Sequence, residues 1–592
     1  MVIAAIPCLI HIMVIILSRD HGLRRSGQSS LTGAIDVGSK LSSFLTELKR
    51  RKVYRAAAVY AAVGVAVAVA VPDLFSAFDL PSSAARFVIV VIVIGLPITL
   101  VLAWAYELRP EDPREAAAVL DRSEQVYRKS IIVLPFDNMS PDPGDAYFSD
   151  GLTEEIIARL SNLQSLRVIS RSSAMVLKGT QKDVRTIGKE LDVQFVLEGS
   201  VRKAGNDLRI TAQLIDAATD AHLWSERYEG VLDDVFEIQE TVSQSIVGAL
   251  NLTLSVDEQK KLAERPFNEI RAYECYLRAR IDIHNGTAES LKSARRHLEA
   301  GLEILGENEL LYEGLAEFHL MAYEYGAYDA ETLQRAEGFA AKAMVLQPES
   351  AGSHYLKGRI ERLRGSPLRA ARHYQNALEI DPSHAGALYW LLAVYTNQAG
   401  RPRAGDTLMN RLLEVDPLSP LTGFGVGWHH WLSGRFEEAL ATLDGVLKLQ
   451  PDFLWASLVQ SHILIWQEDR DEALEILGPI ARRDPRDIFA DWAILLNNAL
   501  AGDSARAVES LSEETRRFFW NDPELPALAA PVYALAGAEE EALTWLERAI
   551  QRGWVNYPLF AHQDPLLENI RGTARFGELM AGVRAKWEMS EV

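Results

Sequence analysis

Asp137, Asp142, Asp145 and Asp150 fall within "FDNMSPDPGDAYFSD", between an apolar run and a segment of helical spacing. Four carboxylates this close could hold Mg²⁺ or Ca²⁺, and the carboxyl edge of a strand in an α/β fold is where anions, nucleotides and metals often bind. The spacing matches no calcium loop, and the chain contains no Gly-x-x-x-x-Gly-Lys phosphate loop. A simpler reading makes the stretch a loop supplied by Pro141, Pro143 and Gly144, with Asp150 as the N-cap of the following helix. Asp137, Asp145 and Asp150 are the ligand candidates.

His429 and His430 in "GWHHWL" invite a metal reading. Adjacent helical residues point in different directions, so a surface or groove location is expected instead. Cys8 and Cys275 are the only cysteines, which removes both a disulfide framework and a cysteine zinc site. No nucleophile elbow, His-Glu-x-x-His helix or Gly-rich nucleotide fingerprint occurs. No catalytic residue, metal or cofactor is therefore expected.

The elements that would position these residues change character along the chain. Residues 87–106, "FVIVVIVIGLPITLVLAWAY", carry no charge and have the length of a membrane span. The Ala-rich run 56–71 is a second candidate span, with a buried soluble helix as its alternative. Basic residues cluster before the first run (Lys49, Arg50, Arg51, Lys52, Arg55) and after the second (Arg109, Arg114, Arg122, Arg128, Lys129), with only Arg86 between. That asymmetry predicts a transmembrane helical hairpin over 46–110 in a bacterial inner membrane, with the carboxy-terminal body cytoplasmic. The segment 1–45 holds a further apolar run, 2–17, readable as an extra span, an uncleaved signal-like segment or translation from an unused upstream start. Residues 111–129 read as a linker.

Residues 1–130 hold 15 Lys or Arg against 11 Asp or Glu, and the remainder 46 against 70. So acidic a body repels phosphate backbones, which argues against nucleic-acid binding. At 592 residues and 48% hydrophobic content, the chain has material for several packed cores.

From 130 to 255 the pattern is that of a small α/β domain. "SIIVLPF" and "LRVISR" read as strands around a helix in "LTEEIIARLSNL"; "VRTIGKEL" reads as a helix. "VQFVLEGSVRKA" and "DLRITAQLIDAATD" read as strands joined through Gly205 to Asp207, a hairpin signal, and "VFEIQETVSQSIVGAL" as a closing amphipathic helix. Together, "VLPFDNMSPDPGDAYFSDGLTEEI", "VISRSSAMVLKG", "VLEGSVRKAGNDLRITAQLIDAATDAHLWSERYEG" and "VFEIQETVS" resemble the TolB-like amino-terminal domain of bacterial membrane proteins that also carry tetratricopeptide repeats. The resemblance implies binding or assembly rather than catalysis. Proteins with this carboxy-terminal arrangement often begin with a class III adenylate cyclase or winged-helix domain, and the residues before position 56 leave room for neither.

From 265 to 590 a period stands out: Pro348, Pro382, Pro417, Pro451 and Pro485 follow helix-like runs at intervals of 34, 35, 34 and 34 residues. Such spacing predicts an all-α superhelix of paired helices. Small residues recur where paired helices must approach, among them Gly358, Ala370, Ala377, Gly427 and Ala439. This looks like the tetratricopeptide pattern, with "DPLLENIRGTARFGELM" resembling its carboxy-terminal cap. The concave face of such an array usually takes a peptide or partner helix. Tyr389, Trp390, Trp428 and Trp431 are the partner-binding candidates, with Trp455 and Trp466 beside them; at helical spacing the same residues also read as core.

The expected fold class is thus a transmembrane hairpin, an α/β TolB-like domain and a tetratricopeptide-repeat superhelix. The expected function is a membrane-anchored protein-protein interaction scaffold in bacterial signalling or assembly. The alternatives are a signalling enzyme related to adenylate cyclase-type proteins, or an exported envelope assembly protein.

Overall fold

The apolar run Ile131, Ile132, Val133 is fully buried as the centre of β1 (Lys129–Val133). The remaining strands are β2 (Asp137–Asn138), β3 (Leu166–Val168), β4 (Phe195–Ala204), β5 (Asp207–Asp216) and β6 (Ala221–Val231). In this computed structural model residues 129–324 and 329–589 are described, and all belong to one unit, Arg114–Val592. The sheet order is β3-β1-β4-β5-β6, with β2 paired to β4. β1 lies parallel to β3 and β4, while β4, β5 and β6 run antiparallel. Gly205, at φ +64°, makes the tight turn that lets Ala204 face Asp207. β6 forms an edge, and its mostly exposed residues include Glu226, Arg227 and Glu229, charges that discourage pairing with another strand.

The helix Ala146–Ser161 covers the sheet and lies against the first repeat helix, Ile270–Asn285. Gly151 permits that approach: a Cβ there would meet Leu277 Cδ2 at 2.6 Å. Helix pairs then follow one another, for example Ala351–Leu363 with Pro367–Ile380, and Pro420–Leu432 with Phe436–Leu449. Ala336, Ala343, Ala370, Ala377, Ala439, Ala473, Ala507, Ala542 and Ala549 are fully buried. At Gly358 a Cβ would meet Tyr374 Cε1 at 2.4 Å, and at Gly427 Leu443 Cγ at 2.8 Å. The 34-residue period is therefore the spacing at which two helices touch without room for a side chain.

The array turns back on itself. Asn556, nearly fully buried, donates from Nδ2 to the carbonyls of Asn397 (2.9 Å) and Thr396 (3.3 Å). The Val555 amide donates to Gln398 O at 2.9 Å, and Trp587 Nε1 donates to Ala399 O at 3.0 Å. Gly553, at φ +97°, lies so close to the preceding turn that a Cβ would meet Pro367 Cδ at 2.6 Å and Gly365 O at 2.7 Å. The end of the array thus seals onto its third and fourth helix pairs.

These findings correct the fold class expected from the sequence. Among the described residues, which are mostly helical, no helix is long and apolar enough to cross a membrane. The expected hairpin, with spans 56–71 and 87–106, and the apolar run 2–17 lie outside the described residues. The described fold is an α/β domain followed by a repeat superhelix.

Gly553→Ala should destabilise the protein by about 2 kcal/mol more than Gly502→Ala, measured by denaturant unfolding. Gly502 also has positive φ, at +66°, but has nothing within 4 Å of its Cβ position. The difference isolates the close approach at the seam.

Candidate functional site

The closed array holds a half-open chamber of about 810 Å³. Tyr389 and Trp390 come from the helix Ala385–Ala393, Phe424 and Trp428 from Pro420–Leu432, and Trp455 from Leu454–Trp466. Phe489 and Phe518 complete an aromatic wall. Tyr389, Trp390, Trp455 and Phe489 are only half-buried where they line the chamber. Tyr389 meets Trp390 edge to face at 4.9 Å, and Trp455 meets Phe489 likewise at 5.2 Å.

The polar part of the wall is built from ion pairs. Arg362 lies over the Trp390 ring at 3.7 Å and pairs with Glu524 at 3.4 Å and Glu324 at 3.6 Å. Arg359 also pairs with Glu324. Burial pushes the Glu524 carboxyl up to about 7, although Arg362 pulls the other way. Arg517, on the exposed face of the helix Glu513–Asn521, lines the chamber and makes no ion pair with any described residue. The Trp428 indole N–H is buried without a hydrogen-bond partner. The arrangement suits an occupant with apolar or aromatic groups and, beside Arg517, a hydrogen-bond acceptor.

A buried charge chain ties this wall to the α/β domain. Glu154 pairs with Arg171 at 2.8 Å and with Arg280 at 2.7 Å, and Arg280 reaches Glu317 at 2.7 Å. Burial pushes the Glu154 carboxyl up, but Arg280, His284 and Arg171 outweigh it and hold it down at about 2. A second joint forms at Asp416, which accepts from the hydroxyls of Ser170, Ser173 (2.7 Å) and Thr422 (2.6 Å). Val415 O accepts from the Ser170 amide at 2.7 Å.

The sequence candidates are dispersed. Asp137 is exposed in β2. Asp142 accepts from the Gly144 amide at 2.8 Å and caps a 3₁₀ turn. Asp145 accepts from Lys203 at 3.2 Å. Asp150 is not an N-cap: the 3₁₀ turn Pro143–Asp145 leads straight into a helix starting at Ala146, and Asp150 lies inside it, paired with Lys178 at 2.6 Å. Among the described residues no group of His, Cys, Asp and Glu could hold a metal ion. Tyr389, Trp390, Trp428 and Trp455 line the chamber, whereas Trp431 is core and stacks edge to face on Trp466 at 5.1 Å. His429 is neither surface nor groove; it is buried between Thr396 Oγ1 (2.7 Å) and Asp406 (2.9 Å). Sequence reading missed Arg359, Arg362, Arg517 and Glu524. The spacing of Arg359 and Arg362 marks one helix face, but nothing local pairs residue 362 with residue 524.

Residues 127–245 match the family described as HilA/YgeH-like transcriptional regulator, second domain, and residues 430–498 match a tetratricopeptide repeat. A protein named "Putative adenylate cyclase 3" from Rhizobium meliloti is 38% identical over 255 residues, covering 43% of this chain and 43% of that protein. The transcriptional regulator HilA of Salmonella typhimurium is 20% identical over 365 residues, covering 61% of this chain and 58% of that protein. The chain thus spans less than two thirds of the length of these curated relatives. A tetratricopeptide repeat protein from Parabacteroides merdae superposes with a TM-score of 0.34 at 14% identity, covering 45% of this chain and 100% of that one. The match over 127–245 is to a regulator's second domain and does not show the TolB-like reading. The chain carries tetratricopeptide repeats, the repeat type that points to protein-protein interaction.

Glu154→Gln should cost about 3 kcal/mol at neutral pH, because it leaves Arg280 and Arg171 without their shared partner. The folded carboxyl titrates at about 2, against 4.5 for the unpaired group. Its contribution is therefore present above pH 4.5 and lost as pH falls through 2. Unfolding midpoints measured from pH 6 down to pH 2 should fall less steeply in Glu154→Gln than in the unmodified protein.

Proposed function

We propose that this chain is an interaction scaffold that works by binding and not by catalysis, with the repeat chamber taking a short segment of a protein partner. The observation that carries this reading is the set of half-buried aromatic side chains Tyr389, Trp390, Trp455 and Phe489 lining one chamber beside Arg517, which makes no ion pair with any described residue. Aromatic faces left partly open in a folded protein are the usual anchors of a recognised segment. Closure of the array sets the size of what enters, so the recognised element is a short peptide rather than a long helix.

The α/β domain, for which the TolB-like reading is part of this proposal, acts as the fixed base of the scaffold. Its charge chain through Arg280 makes it move with the chamber wall. A signalling context is likewise proposed, because stretches similar to this chain occur in proteins named for adenylate cyclase and transcriptional regulation.

Selection from a displayed peptide library on the full chain should return a consensus with an apolar or aromatic anchor next to a residue whose side chain accepts a hydrogen bond. Trp390→Ala and Phe489→Ala should each weaken the selected peptide by tenfold or more, about 1.4 kcal/mol, in a fluorescence titration. Selection without a consensus, or an affinity indifferent to both substitutions, contradicts the proposal.

A further inference from the structure

A second cavity, of about 550 Å³, lies where the α/β domain meets the first helix pairs, and it shares no lining residue with the aromatic chamber. Carboxylates reach it from three elements: Glu155 from the helix Ala146–Ser161, Glu309 and Glu313 from Glu309–Ala322, and Asp381 from the turn after Pro367–Ile380. Leu310, Leu346 and Ile380 supply apolar wall between them.

Glu155 is the side chain that calls for a ligand. It is only 8% exposed, yet it forms no hydrogen bond or ion pair with any described residue. The adjacent Glu154, by contrast, is held by Arg171 and Arg280. A buried carboxylate without a partner is costly, and such groups are normally paired. Three cations line the cavity: Arg159 donates to Leu262 O at 2.9 Å and offsets part of the Glu155 charge, Arg265 pairs with Glu240 at 2.7 Å, and Lys261 acts on Asp381; they stand against six carboxylates, with Glu264 and Glu349 completing the set. Glu313 is satisfied only by the hydroxyls of Ser350 and Ser353. Burial pushes Glu155 and Asp381 each up to about 7 and Glu309 up to about 8, the behaviour of carboxyls lacking a full counter-charge.

We propose that this cavity binds a small organic dication of the alkyl diamine or polyamine class, with Glu155 receiving one ammonium end and Glu309 the other. An ammonium offers three donors to carboxylates, and the methylene chain between the ends lies against Leu310, Leu346 and Ile380. A metal ion fits less well, since no acidic group among the described residues is gathered closely enough to coordinate one. This site stands apart from the peptide chamber and does not depend on it.

The test is calorimetric titration of the full chain with putrescine and with spermidine at pH 7.5, alongside thermal unfolding. Saturable binding with a rise in Tm is expected, with Glu155→Gln and Glu309→Gln each weakening it about tenfold, the loss of one charge-assisted hydrogen bond. If Glu155→Gln does not fold, Glu309→Gln carries the comparison. Trp390→Ala should leave diamine binding unchanged, which separates this site from the aromatic chamber. Absence of saturable binding at millimolar diamine, unchanged affinity in the folded variants, or binding of a lysine-rich peptide without binding of either diamine would overturn the proposal.

Discussion

The seam at Asn556 is the constraint on which the rest of the repeat body depends. One side-chain amide ties the last helix pairs to the Thr396–Asn397 turn, and the Val555 amide and Trp587 indole add bonds on either side. Each bond contributes only about 1 kcal/mol net, but the accepting carbonyls belong to the buried residues Thr396, Asn397, Gln398 and Ala399, so a donor lost from the closed array leaves a buried carbonyl without a partner. That asymmetry favours a closed array over an open superhelix. Closure brings Glu524 to Arg362 across more than 160 residues of chain and so completes the chamber wall. Without the seam the aromatic faces would line an open groove.

Among the polar contacts that fix the α/β domain to the array, two stand far apart and differ in kind. The Glu154–Arg280–Glu317 chain is ionic and buried, so its strength depends on every member being present. The Asp416 joint is a cluster of neutral hydroxyl donors on one carboxylate, reinforced by a backbone bond from Ser170 to Val415. The first contacts the opening repeat, and the second contacts a turn about 135 residues later. The domain is therefore held at two separated points of a closed body, which makes it a fixed base and not a tethered appendage.

Features that repeat, or that alternate along a strand, were legible in the sequence. Ala370, Ala377, Gly358 and Gly427 could be read as close-approach positions because the proline interval marks where helices must touch, and steric exclusion leaves little choice of residue there. The hairpin at Gly205 was legible for the same reason, since positive φ favours glycine. The start of the helix at Ala146 was not, because Pro143 and Gly144 read as loop while in fact forming a turn that feeds the helix. Trp428 and Trp431 are three residues apart and identical in type, yet one lines the chamber and the other fills the core. His429 was misplaced because its partners, Thr396 and Asp406, belong to the neighbouring helix pair. Asn556 carries no local signal, since its role exists only after the array has turned through a full circuit.

Hydrogen-deuterium exchange of the full chain and of Asn556→Ala, followed at residues 394–401 and 553–560, tests the closure most directly. The account predicts slow exchange of the Val555 amide in the unmodified protein, and faster exchange in both segments together when the Asn556 amide is removed. Rapid exchange at Val555 in the unmodified protein, or acceleration confined to 553–560, would contradict it: the array would then be open, and the chamber would not exist.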